Sequence, residues 1–294
     1  MPLTSCTLCG GPMVEAFTNR DRNRRITAER FTHLRCSRCG MLKLADPPAD
    51  LGAYYAGDYF GFPSAEELTE TPLEERAQLE RLKRHAAEGP IVEVGPGRGM
   101  FAAAARAMGF DVEVLERDLR SCNHLREVVG VRATQTEQPE ALLRQRRDLG
   151  AVVMWQVIEH LPEPWEVLEA AAAALRPGGV VLLATPNQGG LQARLLRGRW
   201  PHIDAPRHLQ IIPATALIER AATMGLEALE LSSNDPDGRR WSEFGWQRVL
   251  MNETKGRLPS AAAFWMGTLL ARALWPLEAR RLNAATYTTV LRKL

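Results

Sequence analysis

The chain has 294 residues, 45% of them apolar and 24% charged, the balance of a soluble globular protein with one large domain plus a small one, or two of medium size. A formal net charge of +2 argues against any function that rests on a large basic surface, bulk nucleic-acid binding among them. The start, Met1-Pro2-Leu3-Thr4-Ser5-Cys6, has neither the basic region nor the apolar core of a secretory leader, and the most apolar stretch, 261–271, is too short for a bilayer. A cytoplasmic location with reduced thiols is therefore expected.

Four of the five cysteines form two matching knuckles, Cys6-Thr7-Leu8-Cys9-Gly10-Gly11 and Cys36-Ser37-Arg38-Cys39-Gly40. Two residues between cysteines let both sulfurs face one tetrahedral ion, and the glycine after each pair permits the tight turn. The pattern predicts a four-cysteine zinc site rather than disulfides or free thiols, in a ribbon over 1–45 with short strands at Ala16-Phe17 and 26–34. A closed four-sulfur site has no open position for water, so Zn2+ there is structural, and a segment this short needs metal in place of a core. Arg20, Arg22, Arg24 and Arg25 form either a basic hairpin or a solvated loop. Cys122 stands apart, as a core or surface thiol.

Asp46-Pro47-Pro48-Ala49-Asp50 reads as a stiff linker. The aromatic residues Tyr54, Tyr55, Tyr59 and Phe60 then either pack the ribbon onto the next domain or line a pocket mouth. Thr71, Pro72 and Glu74 make a capping box for a helix whose apolar face is Leu73, Leu79 and Leu82 and which Gly89 ends. From residue 90, short apolar strands alternate with helices: strands at 91–94, 111–115, 130–134, 151–155, 180–184 and 226–231, helices at 99–108, 119–129, 138–146, 163–175 and 214–224. A final strand is expected at 286–291. The alternation predicts an α/β fold, a mostly parallel sheet covered on both faces, with ligands beyond the carboxyl ends of its strands. Residues 186–212 and 234–285 break the pattern and read as insertions at the ligand end, where lids occur.

The first of these strands ends in Gly95-Pro96-Gly97-Arg98-Gly99, a turn whose glycines let backbone N–H groups and a helix start approach a ligand closely. Met100 occupies the place where a dinucleotide fingerprint wants a third glycine, and Glu93 interrupts an apolar strand. Glu116, at the carboxyl end of the second strand, is placed to accept the hydroxyls of a ribose.

These residues occur in order with Trp155-Gln156-Val157-Ile158-Glu159-His160-Leu161-Pro162 and Leu175-Arg176-Pro177-Gly178-Gly179, and with them the chain resembles a class I S-adenosylmethionine-dependent methyltransferase of the bacterial branch that carries an amino-terminal zinc ribbon. The resemblance covers about residues 1–235 and the last strand. It implies a Rossmann-like, doubly wound seven-stranded sheet with its last strand antiparallel. It also implies the cofactor S-adenosylmethionine, its methionine part against Gly95, Gly97 and Gly99 with Glu93 near the amine, its ribose on Glu116, and Trp155 and Gln156 beside it. The loop after the third strand, where the family places an acid facing the adenine, here reads Gln135-Thr136-Glu137. A sulfonium cofactor has no phosphate, and no lysine lies near the turn.

Methyl transfer is an in-line displacement in which alignment does most of the work, and a hydroxyl or amine acceptor is helped by a base. His160, and His208 in Pro206-Arg207-His208-Leu209, are the candidate catalytic residues; the alternative for His160 is a structural role at a helix entry. Arg194, Arg197, Arg199 and Arg207 make an anionic substrate group, such as the diphosphate of a nucleotide-linked sugar, conceivable against the plainer reading of a solvated helix. The apolar 264–275 stretch packs as a lid or homodimer helix, or else seats on a membrane. The expected division is a zinc ribbon at 1–45, a linker and helix at 46–89, a methyltransferase core at 90–235, a helical insertion at 236–285, and the last strand at 286–294. Two functions compete: methyl transfer to a small molecule, a sugar nucleotide or secondary metabolite; and RNA modification or binding with the ribbon as reader.

Overall fold

The computed structural model describes residues 5–55, 61–69, 73–254, 256 and 258–294; Tyr59, Phe60 and the cap Thr71-Pro72 lie outside them. Near the amino terminus, β1 (Met13–Arg20) and β2 (Arg30–Cys36) form an antiparallel hairpin, longer than the two short strands expected, and β3 (Leu42–Leu44) lies beside β2. The fourth strand of this sheet, β9 (Gln210–Ile211), comes from far along the chain and pairs with β3.

The large sheet has seven strands in the order β10-β11-β8-β7-β4-β5-β6, with β4 Ile91–Val94, β5 Val112–Glu116, β6 Arg132–Gln135, β7 Leu149–Trp155, β8 Leu175–Pro186, β10 Leu226–Ser232 and β11 Thr286–Lys293. Strands β4 to β8 run parallel, and β11 is antiparallel to both neighbours, β8 and β10. Alternate residues of the central strands feed two cores, as the period of a strand requires. Val92, Val94, Val152, Met154, Val181 and Leu183 pack under α5 (Pro164–Ala174) and α7 (Ala214–Ala222). Ile91, Val114, Ala151, Val153, Val180 and Leu182 pack under α1 (Leu73–His85), α2 (Met100–Ala107) and α3 (Leu119–His124). Each fully buried Val, Ile or Leu contributes about 1.5–3 kcal/mol, so these faces hold most of the fold's stability. Cys6, Cys36 and Met41 belong to the first of the two cores, which seats the cysteine knuckles against the large sheet.

Several elements differ from expectation. The Arg176-Pro177-Gly178-Gly179 break lies inside β8: Leu149 pairs with Leu175 while Ala151 pairs with Val180, so the extra residues bulge out. The helix at 119–129 widens after α3 into a π-type turn at Leu125–Val129. Helix α4 (Pro139–Leu143) is shorter than predicted. The irregular 186–212 segment holds α6 (Leu191–Leu196) before it reaches β9. The 234–285 insertion is a pair of packed helices, α8 (Pro236–Glu253) and α9 (Ser260–Glu278). Phe264, Trp265, Met266 and Leu269 of α9 are exposed, yet no helix among the described residues is long and apolar enough to cross a membrane.

Two of the arginines of 186–212 are engaged within the protein. Arg207 is fully buried and bonds Asp21 of the turn after β1 (2.7 Å) and Asp204 (2.8 Å), while Arg194 reaches Gly189 O and Asn283. Asn23 adds bonds to Asp204 (2.6 Å) and to the carbonyl of Pro201 (2.8 Å). The two carboxylates hold the Arg207 guanidinium firmly charged, and Arg207 in turn draws the Asp204 carboxyl well below the usual range despite its burial. The sequence reading of Arg207 as a substrate contact is thus corrected: a guanidinium with every face satisfied inside the protein has nothing left for a ligand. Removing one partner of such a buried pair strands the others, so Arg207→Ala should lose about 3–5 kcal/mol of unfolding free energy in urea titrations. A loss below about 1 kcal/mol would show that this pair does not tie the ribbon to the core.

Candidate active site

Strand β4 carries Glu93 into the interior, where it is 2% exposed and its Oε2 has no hydrogen-bond partner. Burial, with the charges of Glu75 and Glu116 nearby, pushes its carboxyl up to about 8. A buried carboxylate of this kind is uncomfortable when ionised and alone, and becomes comfortable beside a cation. The chain then turns through the three glycines, all with positive φ. At Gly95 (φ 65°) a Cβ would lie 2.8 Å from Val157 Cγ2, and at Gly99 (φ 77°) 2.8 Å from Leu125 Cδ2, so both backbone shape and crowding demand glycine.

Glu116 ends β5 beside this turn. Its Oε1 accepts from the backbone N–H groups of Arg117 (2.7 Å) and Asp118 (2.9 Å). Burial raises its carboxyl, opposed by those N–H groups and that of Gly97. Glu93, the glycine turn and Glu116 therefore form one continuous rim at the carboxyl ends of adjacent strands, where open α/β sheets bind ligands. Beyond β6, Gln135 bonds Arg117 O (3.2 Å) and Glu137 pairs with Arg117 (3.0 Å) at the surface. A cavity of about 1120 Å³ opens next to the turn, lined by Glu75, Arg76, Arg98, Met100 and Arg240 among others.

At the end of β7, Trp155 meets Phe101 edge to face (5.4 Å), and Gln156, at φ 57°, donates to Asp237 Oδ2 (3.2 Å). Asp237 sits in the first turn of α8, 4% exposed, and accepts from Trp241 Nε1 as well (3.2 Å). Burial and neighbouring Asp235 push its carboxyl up to about 7. Sequence reasoning missed Asp237; the signal available was Asp235-Pro236-Asp237, an N-cap with proline at the first helical position.

Past Gln156 the chain places Glu159 fully inside, with Oε2 accepting from Thr185 (2.9 Å) and Oε1 without a partner. His160 and His208, proposed singly from the sequence, come together, their rings 4.5 Å apart and perpendicular. His160 Nδ1 lies 3.0 Å from Arg207 O and 2.8 Å from the Tyr55 hydroxyl, and His208 Nδ1 lies 2.7 Å from His202 O. A carbonyl oxygen only accepts, so Nδ1 carries the proton in both rings and Nε2 keeps its lone pair. Burial lowers both imidazoles, His208 to about 3 with His160 also opposing its charge. Tyr54 packs edge to face on Phe31 of the ribbon, as the packing alternative expects, and Tyr55 contacts His160.

The cysteine knuckles close on each other, with Sγ separations of 3.7 Å (Cys6 to Cys39) and 3.4 Å (Cys9 to Cys36), and all four sulfurs within 4.8 Å. A tetrahedral zinc with Zn–S of about 2.3 Å places its sulfurs about 3.8 Å apart, so the donor set fits that ion. Of the hairpin arginines, Arg22 pairs with Glu253 and Arg25 bonds Asn252 (3.3 Å), which turns this side of the ribbon toward α8.

Residues 66–231, more than half of the chain, match the model of a family described as methyltransferase domain. Among curated proteins, the ubiquinone biosynthesis O-methyltransferase of Cupriavidus pinatubonensis is 24% identical over 128 residues, 42% of this chain and 49% of that protein. The protein of the same description from Saccharophagus degradans is 26% identical over 121 residues, 40% of this chain and 48% of its own length. The chain thus spans about half the length of these curated relatives. A crystal structure of a SAM-dependent methyltransferase from Archaeoglobus fulgidus superposes with a TM-score of 0.53 at 14% identity, over 83% of this chain and 100% of that one, which shows a shared fold. With the seven-stranded sheet, the glycine turn and the family match all in agreement, the chain belongs to the methyltransferase domain family of S-adenosylmethionine-dependent methyltransferases.

Proposed function

We propose that the chain transfers a methyl group from S-adenosylmethionine to a hydroxyl of a small molecule. The observation that carries this reading is the pair of buried carboxylates, Glu93 and Glu116, on either side of the three-glycine turn. Glu93 takes the cofactor's amine on its unpartnered oxygen, Gly95, Gly97 and Gly99 admit the methionine backbone, and Glu116 accepts from the ribose. Trp155 and Gln156 flank the cofactor at the end of β7. His160 and His208 are the catalytic pair, on the acceptor side, where they make the acceptor's proton leave. The 236–285 insertion serves as lid, a role supported by the bond from Asp237 to Gln156. A hydroxyl acceptor accords with the two curated relatives, which are described as ubiquinone biosynthesis O-methyltransferases. The cysteine cluster holds a structural zinc ion whose role is to fix the ribbon against the core.

Calorimetric titration with S-adenosylhomocysteine tests the cofactor assignment. Gly97→Arg should abolish binding, and Glu116→Ala should weaken it by about tenfold or more, ~1.4 kcal/mol; unchanged affinity in both variants would sink the assignment. Glu93 sets the pH dependence. Its carboxyl is protonated in the empty protein below about 8, and binding an ammonium requires the ionised form. Affinity should therefore rise from pH 6 to pH 8, by up to about tenfold per unit, with proton release on binding. Glu93→Gln should flatten that dependence, and a flat wild-type profile would refute the pairing.

For the acceptor side, His160→Ala and His208→Ala should lower turnover sharply while leaving S-adenosylhomocysteine affinity as it is. Full turnover in both would mean that transfer proceeds by alignment alone. Elemental analysis of the purified chain should find zinc in a one-to-one ratio, lost in Cys36→Ser together with thermal stability; a metal-free, equally stable wild type would overturn the zinc assignment.

A further inference from the structure

We propose that Glu159, His160 and His208 together bind one divalent metal ion on the acceptor side of the site. One carboxylate oxygen and one ring nitrogen from each histidine lie within 4.8 Å of one another. Two features point to an ion there. Both Nδ1–H groups are committed to backbone carbonyls, Arg207 O and His202 O, which fixes the tautomers and leaves the Nε2 lone pairs free. Anchoring the second ring nitrogen on a carbonyl is how proteins orient metal-binding histidines. Glu159, with no exposed surface, holds one oxygen on Thr185 and leaves Oε1 without a donor. A buried carboxylate with one oxygen unpartnered, gathered with two imidazoles, is a costly arrangement in a protein interior, and a cation held between them offsets that cost.

A set of two imidazoles and one carboxylate suits manganese, iron, cobalt or zinc, and leaves coordination positions open for oxygen ligands. For the role of the ion, this inference rests on the proposed methyl transfer. An acceptor hydroxyl that coordinates the ion loses its proton to solvent more readily. The resulting alkoxide or phenolate oxygen then forms the new O–CH3 bond as the methyl–sulfur bond breaks, its electron pair passing to sulfur to give the neutral thioether. The ion thereby becomes the means by which His160 and His208 assist the proton's departure. It also predicts acceptors that can chelate, such as vicinal hydroxyls, over isolated amines.

The test is titration of Mn2+ into the zinc-loaded chain, followed by the electron paramagnetic resonance of free Mn2+, with S-adenosylhomocysteine calorimetry on the same samples. Mn2+ is a hard ion and does not compete for the four thiolates. One Mn2+ per chain is expected, weakened at least about tenfold in Glu159→Gln and in His208→Gln. Gln mimics the protonated carboxyl and keeps the Thr185 bond, so Glu159→Gln should fold, and unchanged S-adenosylhomocysteine affinity would verify this. Absence of Mn2+ binding below millimolar concentration in the wild type, or equal binding in both variants, would overturn the ion site. In either case intact S-adenosylhomocysteine binding would leave the proposed methyl transfer standing. Mn2+ binding without S-adenosylhomocysteine binding would support the ion site and remove the proposed function instead.

Discussion

Arg207, buried between Asp21 and Asp204, is the contact on which the rest of the arrangement turns. Its side chain pins the ribbon's hairpin, and its carbonyl orients His160. The next residue is His208, Leu209 N bonds Glu159 O (2.8 Å), and Gln210-Ile211 completes the ribbon's sheet. Within five residues the chain thus locks the ribbon, the acceptor-side histidines and the sheet edge into one unit. A charged group with all its bonds satisfied tolerates little displacement, because any shift exposes unpaired charge to a medium that cannot solvate it.

That coupling changes what the ribbon is for. A reader module on a linker would close its own sheet and keep its basic face free. This ribbon takes its last strand from the core, shares a hydrophobic cluster with Trp200, Ile203 and Leu209, and has Arg22 and Arg25 turned onto α8. Tyr55, just after the ribbon, touches His160 directly. A metal held by the knuckles would therefore act at a distance on the proposed acceptor side by keeping one wall of it in place, since a site tolerates only small errors in the position of its reacting groups.

The elements read most accurately from the sequence are those whose pattern is set locally. Strand β7, and β8 from Val180 on, are buried on both faces and so appear as apolar runs, β4 is such a run broken only at Glu93, and the knuckles declare themselves by spacing alone. The glycine turn was readable because φ and crowding leave no other residue at Gly95 and Gly99. What stayed hidden depends on partners far apart in the chain. Arg207 meets Asp21 across 186 positions, so an arginine that looks like a substrate contact is in truth a buried strut. Asp237 reaches Gln156 across 81 positions, and β9 is too short to have a period of its own. The bulge in β8 escaped notice because Pro and Gly signal a turn whether or not the pairing resumes beyond it.

The two sides of the site differ in how they treat charge, and the difference follows the reaction. In the proposed function, Glu93 and Glu116 stand on the cofactor side, and burial pushes both carboxyls up, that of Glu93 to about 8. The ammonium of the proposed cofactor would favour the ionised form of Glu93, and the attraction from its sulfonium would fall off when methyl transfer discharges the sulfur. Holding the charged cofactor more strongly than its neutral thioether product favours exchange after each turnover. On the acceptor side, two imidazoles held neutral by burial present lone pairs rather than protons. In the proposed function they would receive positive charge, a proton or a metal ion, as the acceptor loses its proton. In that proposal the carboxyl ends of the adjacent strands β4 and β7 would separate the two tasks: one side would release a cation's charge, and the other would take up the charge that the nucleophile must shed.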